Sequence, residues 1–243
     1  MDPRLNIVDR RLSGIKRLIA VSGGKGGIGK SLNAAVLALT LAKSGYKVGL
    51  LDLDLSSPSA HLILGAEIAP PEEDKGILPG TIHGLSFMSI VYFTGNKPLP
   101  LRGVDISNSM LELLANTIWG ELDFLIIDMP PGIGDAMMDL IRWMKRPEFL
   151  IVATPSILAF ETVKKIIDLL QELDLPIIGL IENMKRDERS IVGMLEVDIP
   201  IIGEMPFFED VEDFIGDPDG LLKSGFGKRM DEIVKRCQGC EPL

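Results

Sequence analysis

Apolar positions fall into short runs separated by longer stretches of helical period. Leu18 to Val21, Tyr46 to Leu53, Leu85 to Phe93, Asp123 to Asp128, Phe149 to Ala153, Ile177 to Glu182 and Ile199 to Ile202 read as strands. Mostly unbroken apolar runs of this length suit strands covered on both faces. Between them, apolar spacings of three and four predict helices from Lys30 to Lys43 and over about 107–119, 136–144, 159–173 and 220–236. Alternating strands and helices imply right-handed crossovers. The expected fold is therefore a single three-layer α/β domain, a mostly parallel sheet flanked by helices. The domain spans 1–243, with residues 1–16 as an N-terminal arm and 237–243 as a tail. Ligands on such sheets bind at the carboxyl ends of the strands.

The first of those ends reads S-G-G-K-G-G-I-G-K-S from Ser22 to Ser31. Gly24, Gly29, Lys30 and Ser31 satisfy G-x-x-x-x-G-K-[ST], the loop whose backbone N–H groups wrap a polyphosphate. A strand precedes it and a helix follows, so free N–H groups and the positive helix end converge on the anion. Gly24, Lys25, Gly26, Gly27, Ile28, Gly29, Lys30, Ser31 and Leu32 are the expected contacts for ATP or ADP. Lys30 would reach the β and γ oxygens, and Ser31 would ligate Mg²⁺. Lys25, an extra cation on a glycine-rich arm, has little to do for its own phosphates. It is placed to reach those of a facing subunit, which predicts a homodimer in the ATP state.

Three further strand ends carry polar residues. The second strand runs into L-L-D-L-D-L-S-S-P-S, with Asp52 and Asp54 on one face if the strand persists. Asp52 is assigned to the Mg²⁺ shell, directly or through water, and Asp54 to positioning the attacking water. Capping a turn with Ser56 and Ser57 is the alternative for the pair. D-F-L-I-I-D-M-P-P-G-I-G-D then puts Asp128 where an acid supports Mg²⁺ in phosphate-loop ATPases, directly or through water. Gly132 and Gly134 lend the following turn hinge freedom, and Asp135 suits a helix N-cap. The third, I-I-G-L-I-E-N-M, ends on Asn183, whose amide complements adenine's edge or simply forms a turn.

Composition narrows the partners. A formal charge of −10 over 243 residues argues against nonspecific nucleic-acid binding. No apolar stretch approaches 18 residues, and M-D-P-R-L-N lacks a secretory pattern, which predicts a cytoplasmic protein without stable membrane insertion. The two cysteines, Cys237 and Cys240, build no disulfide framework. In C-Q-G-C they have the spacing of a soft-metal clamp, and two copies would supply four thiolates; idle thiols are the alternative.

Together, G-K-G-G-I-G-K-S, the D-L-D after the second strand, I-I-D-M-P-P-G-I-G-D and I-E-N-M resemble the Mrp/MinD group of deviant Walker A ATPases from about Arg17 to Phe207. M-P-P-G with E-N-M is most similar to the Mrp branch of metallocentre-assembly proteins. The resemblance implies Lys25 acting on the partner's nucleotide, Lys30 as the loop lysine, Ser31 on Mg²⁺, Asp54 as the water-activating residue and Asp128 as the Walker B acid. It also implies adenine held by Asn183 with the backbone around Pro206 nearby. Iron–sulfur carriers of this branch place C-P-x-C soon after E-N-M, where this chain has K-R-D-E-R-S-I-V-G. Other segments, among them S-P-S-A-H-L-I-L-G and E-E-D-K-G-I-L-P, resemble the archaeal ATPase-type hydrogenase nickel-insertion protein. In that reading His61 is a candidate metal ligand or an ordinary polar contact.

The expected function is thus an ATP-hydrolysing switch for metallocentre assembly, with a transient iron–sulfur cluster or nickel as cargo and a metallochaperone or client metalloprotein as partner. A MinD/ParA-like organiser at a membrane or nucleoid is the alternative. It would use the last helix, where Leu222, Phe226, Met230 and Ile233 align, as a membrane anchor instead of a core face.

Overall fold

In the computed structural model, residues 2–69, 71–95, 103–188, 190–191 and 199–240 are described, 237–240 by their backbone alone. Eight strands form one sheet among them: β1 (Ile15–Gly23), β2 (Val48–Asp52), β3 (Gly80–Ile82), β4 (Leu85–Ser89), β5 (Leu122–Asp128), β6 (Glu148–Ala153), β7 (Ile177–Lys185) and β8 (Ile201–Pro206). Their order is β3-β4-β2-β5-β1-β6-β7-β8. Every pairing is parallel except that of β3 with β4. The helices are α1 (Arg4–Leu12), α2 (Lys30–Lys43), α3 (Ala60–Ile63), α4 (Val91–Thr94), α5 (Gly103–Asn116), α6 (Asp135–Trp143), α7 (Ile157–Glu172), α8 (Pro218–Lys223) and α9 (Gly225–Cys240).

The strand order fixes where a ligand can sit. From β1 the chain crosses through α2 toward β2, whereas from β5, the strand beside β1, it crosses through α6 the other way to β6. Right-handed crossovers in opposite directions put α2 and α6 on opposite faces and open a crevice at the carboxyl ends of β1 and β5. The helices sort accordingly, with α2, α8 and α9 packed together in one group and α1, α5 and α6 in another. Central strands are buried along nearly their whole length, as the unbroken apolar runs require.

Four expectations change. Residues 1–16 are not a detached arm, because Val8 and Leu12 of α1 enter the core and Ile15 opens β1. The run to Phe93 leaves the sheet at Ser89, whose hydroxyl accepts the Val91 N–H at 3.5 Å as the chain turns into α4. The helix expected over 220–236 breaks at Ser224 into α8 and α9. α9 then continues to Cys240, so residues 237–240 are helix instead of tail.

The α8–α9 corner depends on Gly227. An added Cβ there would stand 2.2 Å from the Leu221 carbonyl oxygen and 2.6 Å from the Leu222 Cα, both backbone atoms that cannot rotate aside. Gly227→Ala should destabilise the fold by about 2 kcal/mol or more. Chemical denaturation reads this directly, and an unchanged midpoint would contradict the packing.

Candidate nucleotide-binding site

Register brings the site together before any side chain is considered. β5 lies between β1 and β2 with Asp128 opposite both Val21 and Asp52. The turn after β5 is fastened to the glycine loop, since Met129 donates its N–H to the Val21 carbonyl and Gly132 to that of Gly23, each at 3.1 Å. In the loop, Gly27 and Gly29 adopt φ of 77° and 81°, left-handed values that favour glycine. Ile28 is buried beneath it, while Lys25, Gly26 and Gly27 are exposed. Gly24 is wedged against α7, because a Cβ there would lie 2.9 Å from that of Thr162. Helix α2 starts at Lys30 with no side-chain cap on its free N–H groups, and Ser31 and Leu32 lie half-buried in its first turn.

Buried charge dominates the crevice. The Lys30 ammonium, 6% exposed, lies 3.1 Å from Asp128 Oδ1 and 4.0 Å from Asp54 Oδ2. Asp52 accepts the Asp54 N–H at 3.2 Å and the Ala60 N–H at 3.3 Å. Asp54 accepts the Ser56 hydroxyl at 2.6 Å and the Ser57 N–H at 3.2 Å through one oxygen, so it caps a turn and faces Lys30 at once. Asp128 Oδ2 is buried without a hydrogen-bond partner among the described residues. Burial, reinforced by the neighbouring Asp128 charge, lifts Asp52 from 3.8 to about 8. Burial also raises Asp128, against the pull of Lys30 and the Ser31 hydroxyl.

This donor set fits a magnesium ion. A hydroxyl, two buried carboxylates and an orphaned carboxylate oxygen are hard oxygen donors in an over-negative site. Mg²⁺ commonly takes one or two carboxylates and completes its shell with water and phosphate. No set of three His, Cys, Asp or Glu capable of enclosing a metal occurs among the described residues.

The remaining candidates separate. Asn183, almost fully buried, donates from Nδ2 to the Ile28 carbonyl at 2.7 Å, so part of the amide expected to face a base is engaged with the phosphate loop. Pro206 is exposed at the end of β8, paired with Lys185 of β7, and beside it the Arg186 guanidinium stacks 3.8 Å above the Phe207 ring. Lys25 makes no hydrogen bond or ion pair among the described residues and is exposed. His61 is buried with both ring nitrogens lacking hydrogen-bond partners among the described residues, and burial lowers its pKa from the ordinary imidazole value. Asp135 is the first residue of α6, whose N-cap is Gly134.

Side chains of Cys237 and Cys240 lie outside the described residues, but the course of α9 places their backbone. Arg229 donates to the Glu204 carbonyl, near the carboxyl end of β8, and Ile233, one turn further on, packs against Gly203. The helix therefore runs toward the amino ends of the strands and carries the cysteines away from the phosphate loop. Sequence reasoning overlooked Asn33, fully buried in α2, with Nδ2 donating to the Gly29 carbonyl at 2.8 Å. Its signal was a lone amide in the apolar run L-N-A-A-V.

A parallel sheet, a phosphate loop entering a helix, and Asp128 beside the loop lysine define a P-loop nucleoside triphosphatase. Residues 14–194 match the family described as ParA, NUBPL iron-transfer P-loop NTPase, and the chain belongs to it. It is 40% identical over 177 residues to an iron–sulfur cluster carrier protein of Pseudomonas fragi, covering 71% of this chain and 62% of that protein. A nucleotide-binding protein of Archaeoglobus fulgidus, solved with ADP, superposes with a TM-score of 0.73 at 29% identity, covering 92% of this chain and 95% of the other. The Pyrococcus furiosus cell division ATPase MinD shares the fold, with a TM-score of 0.70 at 20% identity over 93% of this chain and 99% of the other. The chain thus spans under two thirds of the carrier it matches.

The raised Asp52 gives a signed pH dependence. Folded protein holds this proton more tightly than the unfolded chain, so the contribution to stability is full below the ordinary value of 3.8 and is lost as pH rises to about 8. Asp52→Asn cannot titrate. The melting temperature of the variant minus that of the nucleotide-free parent should increase across this window and level off above it. A difference independent of pH would mean Asp52 is ionised throughout.

Proposed function

We propose that the chain is a Mg²⁺-dependent ATPase whose nucleotide state governs a homodimer, and that the dimer serves metallocentre assembly. The observation that carries this reading is the contrast between its two lysines. Lys30 is buried among carboxylates and serves its own site, whereas Lys25 stands exposed on the same loop without a partner among the described residues. Around it lie exposed apolar residues: Ile133 beyond the β5 turn, and Ile157 and Leu158 at the start of α7, the helix against which Gly24 is wedged. Their exposures, 41%, 69% and 78%, suit a surface that a second copy covers.

On nucleotide entry Lys30 exchanges Asp128 and Asp54 for the β and γ oxygens, and the loop N–H groups take the remaining phosphate charge. A Mg²⁺ held by Ser31, with Asp52 and Asp128 behind it directly or through water, would offset the charge on the phosphates. Asp54, relieved of Lys30, orients the attacking water through its free oxygen while the other remains on Ser56 and Ser57. Lys25 of each copy stabilises charge on the other's phosphates, as an arginine finger does. Asn183 and Pro206, on the neighbouring ends of β7 and β8, flank the base.

The carrier name of the relative supports an iron–sulfur cluster as cargo, and the resemblance to nickel-insertion ATPases keeps nickel as the alternative. Cys237 and Cys240, one helical turn apart in α9, are the candidate thiolates. The organiser reading is weaker, since Phe226, Met230 and Ile233, the apolar positions that would face a lipid surface, are buried in the core.

Lys25→Ala should lower ATP turnover by at least about tenfold while leaving nucleotide binding to the monomer nearly intact, and Lys30→Ala should weaken both. Turnover and equilibrium binding measured on the same preparations decide this: parental turnover in Lys25→Ala ends the trans role. For the cargo, metal and sulfide analysis of protein purified without oxygen should show iron with sulfide, or nickel, and its loss in Cys237→Ser and Cys240→Ser. Metal retained by both variants would remove the thiolates from the account.

A further inference from the structure

Two amides from different elements grip successive carbonyls of the phosphate loop. Asn183, at the carboxyl end of β7, donates from Nδ2 to the Ile28 carbonyl at 2.7 Å. Asn33, one turn into α2, donates from Nδ2 to the Gly29 carbonyl at 2.8 Å, which also accepts the Asn33 backbone N–H at 3.0 Å. Both residues are at least 98% buried, and the Asn183 bond is buried as a whole, which strengthens it. Gly29 lies between them in the left-handed region, and an added Cβ would fall 2.4 Å from Asn183 Nδ2. The absence of a side chain at 29 is what admits the amide.

In a planar trans peptide the carbonyl and the N–H point in opposite directions. Holding the Ile28 carbonyl fixes where the Gly29 N–H points, and holding the Gly29 carbonyl fixes the Lys30 N–H. These are the last loop donors before the helix. A glycine-rich loop left to itself samples many orientations of these peptide planes, and each donor that must turn inward on binding costs affinity. We propose that Asn183 and Asn33 are positioning residues that preset the Gly29 and Lys30 N–H groups for the phosphates, so that the E-N-M residue acts on the phosphate end of the nucleotide independently of any base.

This inference rests on the nucleotide-binding reading above and differs from base recognition in one measurable respect. If Asn183 only contacted a base, its loss would be felt by ATP and not by a ligand that lacks one. Inorganic tripolyphosphate with Mg²⁺ is that ligand. Asn33 gives an independent arm, because its amide is engaged inside the loop's own helix.

Equilibrium dissociation constants for ATP and tripolyphosphate should be measured on the parent, Asn183→Ala and Asn33→Ala, with melting curves to establish folding. Asn183→Leu and Asn33→Leu, which nearly keep the volume and lose the donor without adding charge, replace any alanine variant that fails to fold. Each folded variant should weaken tripolyphosphate by about three- to tenfold, the loss expected for one hydrogen bond, and ATP by at least that factor, the two factors being equal for Asn33. Asn183 variants that weaken ATP and leave tripolyphosphate unchanged would overturn the proposal in favour of base contact. Folded variants that bind both ligands as the parent does would overturn it outright, as would a parent that holds ATP but not tripolyphosphate. A parent that binds neither ligand would instead remove the nucleotide-binding reading itself.

Discussion

A single ammonium, that of Lys30, is enclosed by the carboxylates of Asp54 and Asp128, with Asp52 beside them on the next strand. Isolated buried charges cost several kcal/mol each, and an ion pair in the interior recovers this only with good geometry and further hydrogen bonds. Here the recovery is incomplete. Three carboxylates face one cation, which leaves Asp52 near pKa 8 and one oxygen of Asp128 without a hydrogen-bond partner among the described residues. A proton on Asp52 relieves part of that excess, and a bound cation would relieve it in its place.

The sheet produces the cluster as a consequence of register. β2 and β5 run parallel and end level, so Asp52 and Asp128 face each other across one ladder step, and the switch of crossover direction beside β1 leaves the space above them open. Backbone bonds from Met129 and Gly132 to the β1 end then hold the P-P-G turn against the loop. The interior of the site is therefore held by many partners. Lys25 and the apolar residues at 133, 157 and 158 are exposed outside that frame.

Much of this was legible in the chain. Unbroken apolar runs located the central strands because both of their faces are covered, and the G-x-x-x-x-G-K-S spacing located the loop because so few backbone shapes wrap a phosphate. Less legible were features set by contacts distant in sequence. Nothing near Val8 or Leu12 says that they enter the core, since what they pack against arises about a hundred residues later in α5. The break at Ser224 is hidden because its apolar spacing continues through it. Asn183 read as a base contact or a turn, whereas its bond to Ile28 spans 155 residues and follows from β7 ending beside the loop. The strand β3 was unreadable inside a polar loop, because three residues on a sheet edge need no apolar pattern.

The two halves of the functional reading lie at opposite poles. Phosphate chemistry sits at the carboxyl ends of the strands, and the backbone of the C-x-x-C sits where α9 has run toward their amino ends. Within one copy, the backbone at 237–240 therefore lies away from the phosphate loop. Whatever influence one has on the other must pass through packed elements that reach both, and α2 and α9 meet that condition. α2 begins at Lys30 and packs along α9, while Ile233 of α9 rests on Gly203 with no room for a Cβ between them. Close packing of this kind transmits strain, and it carries a switch where the elements have two discrete arrangements to choose between. A cargo held at the cysteines would consequently respond to ATP through a change in how the two copies or the two helices are seated, and not through electrostatics from the phosphates, which the intervening protein and solvent screen over such a distance.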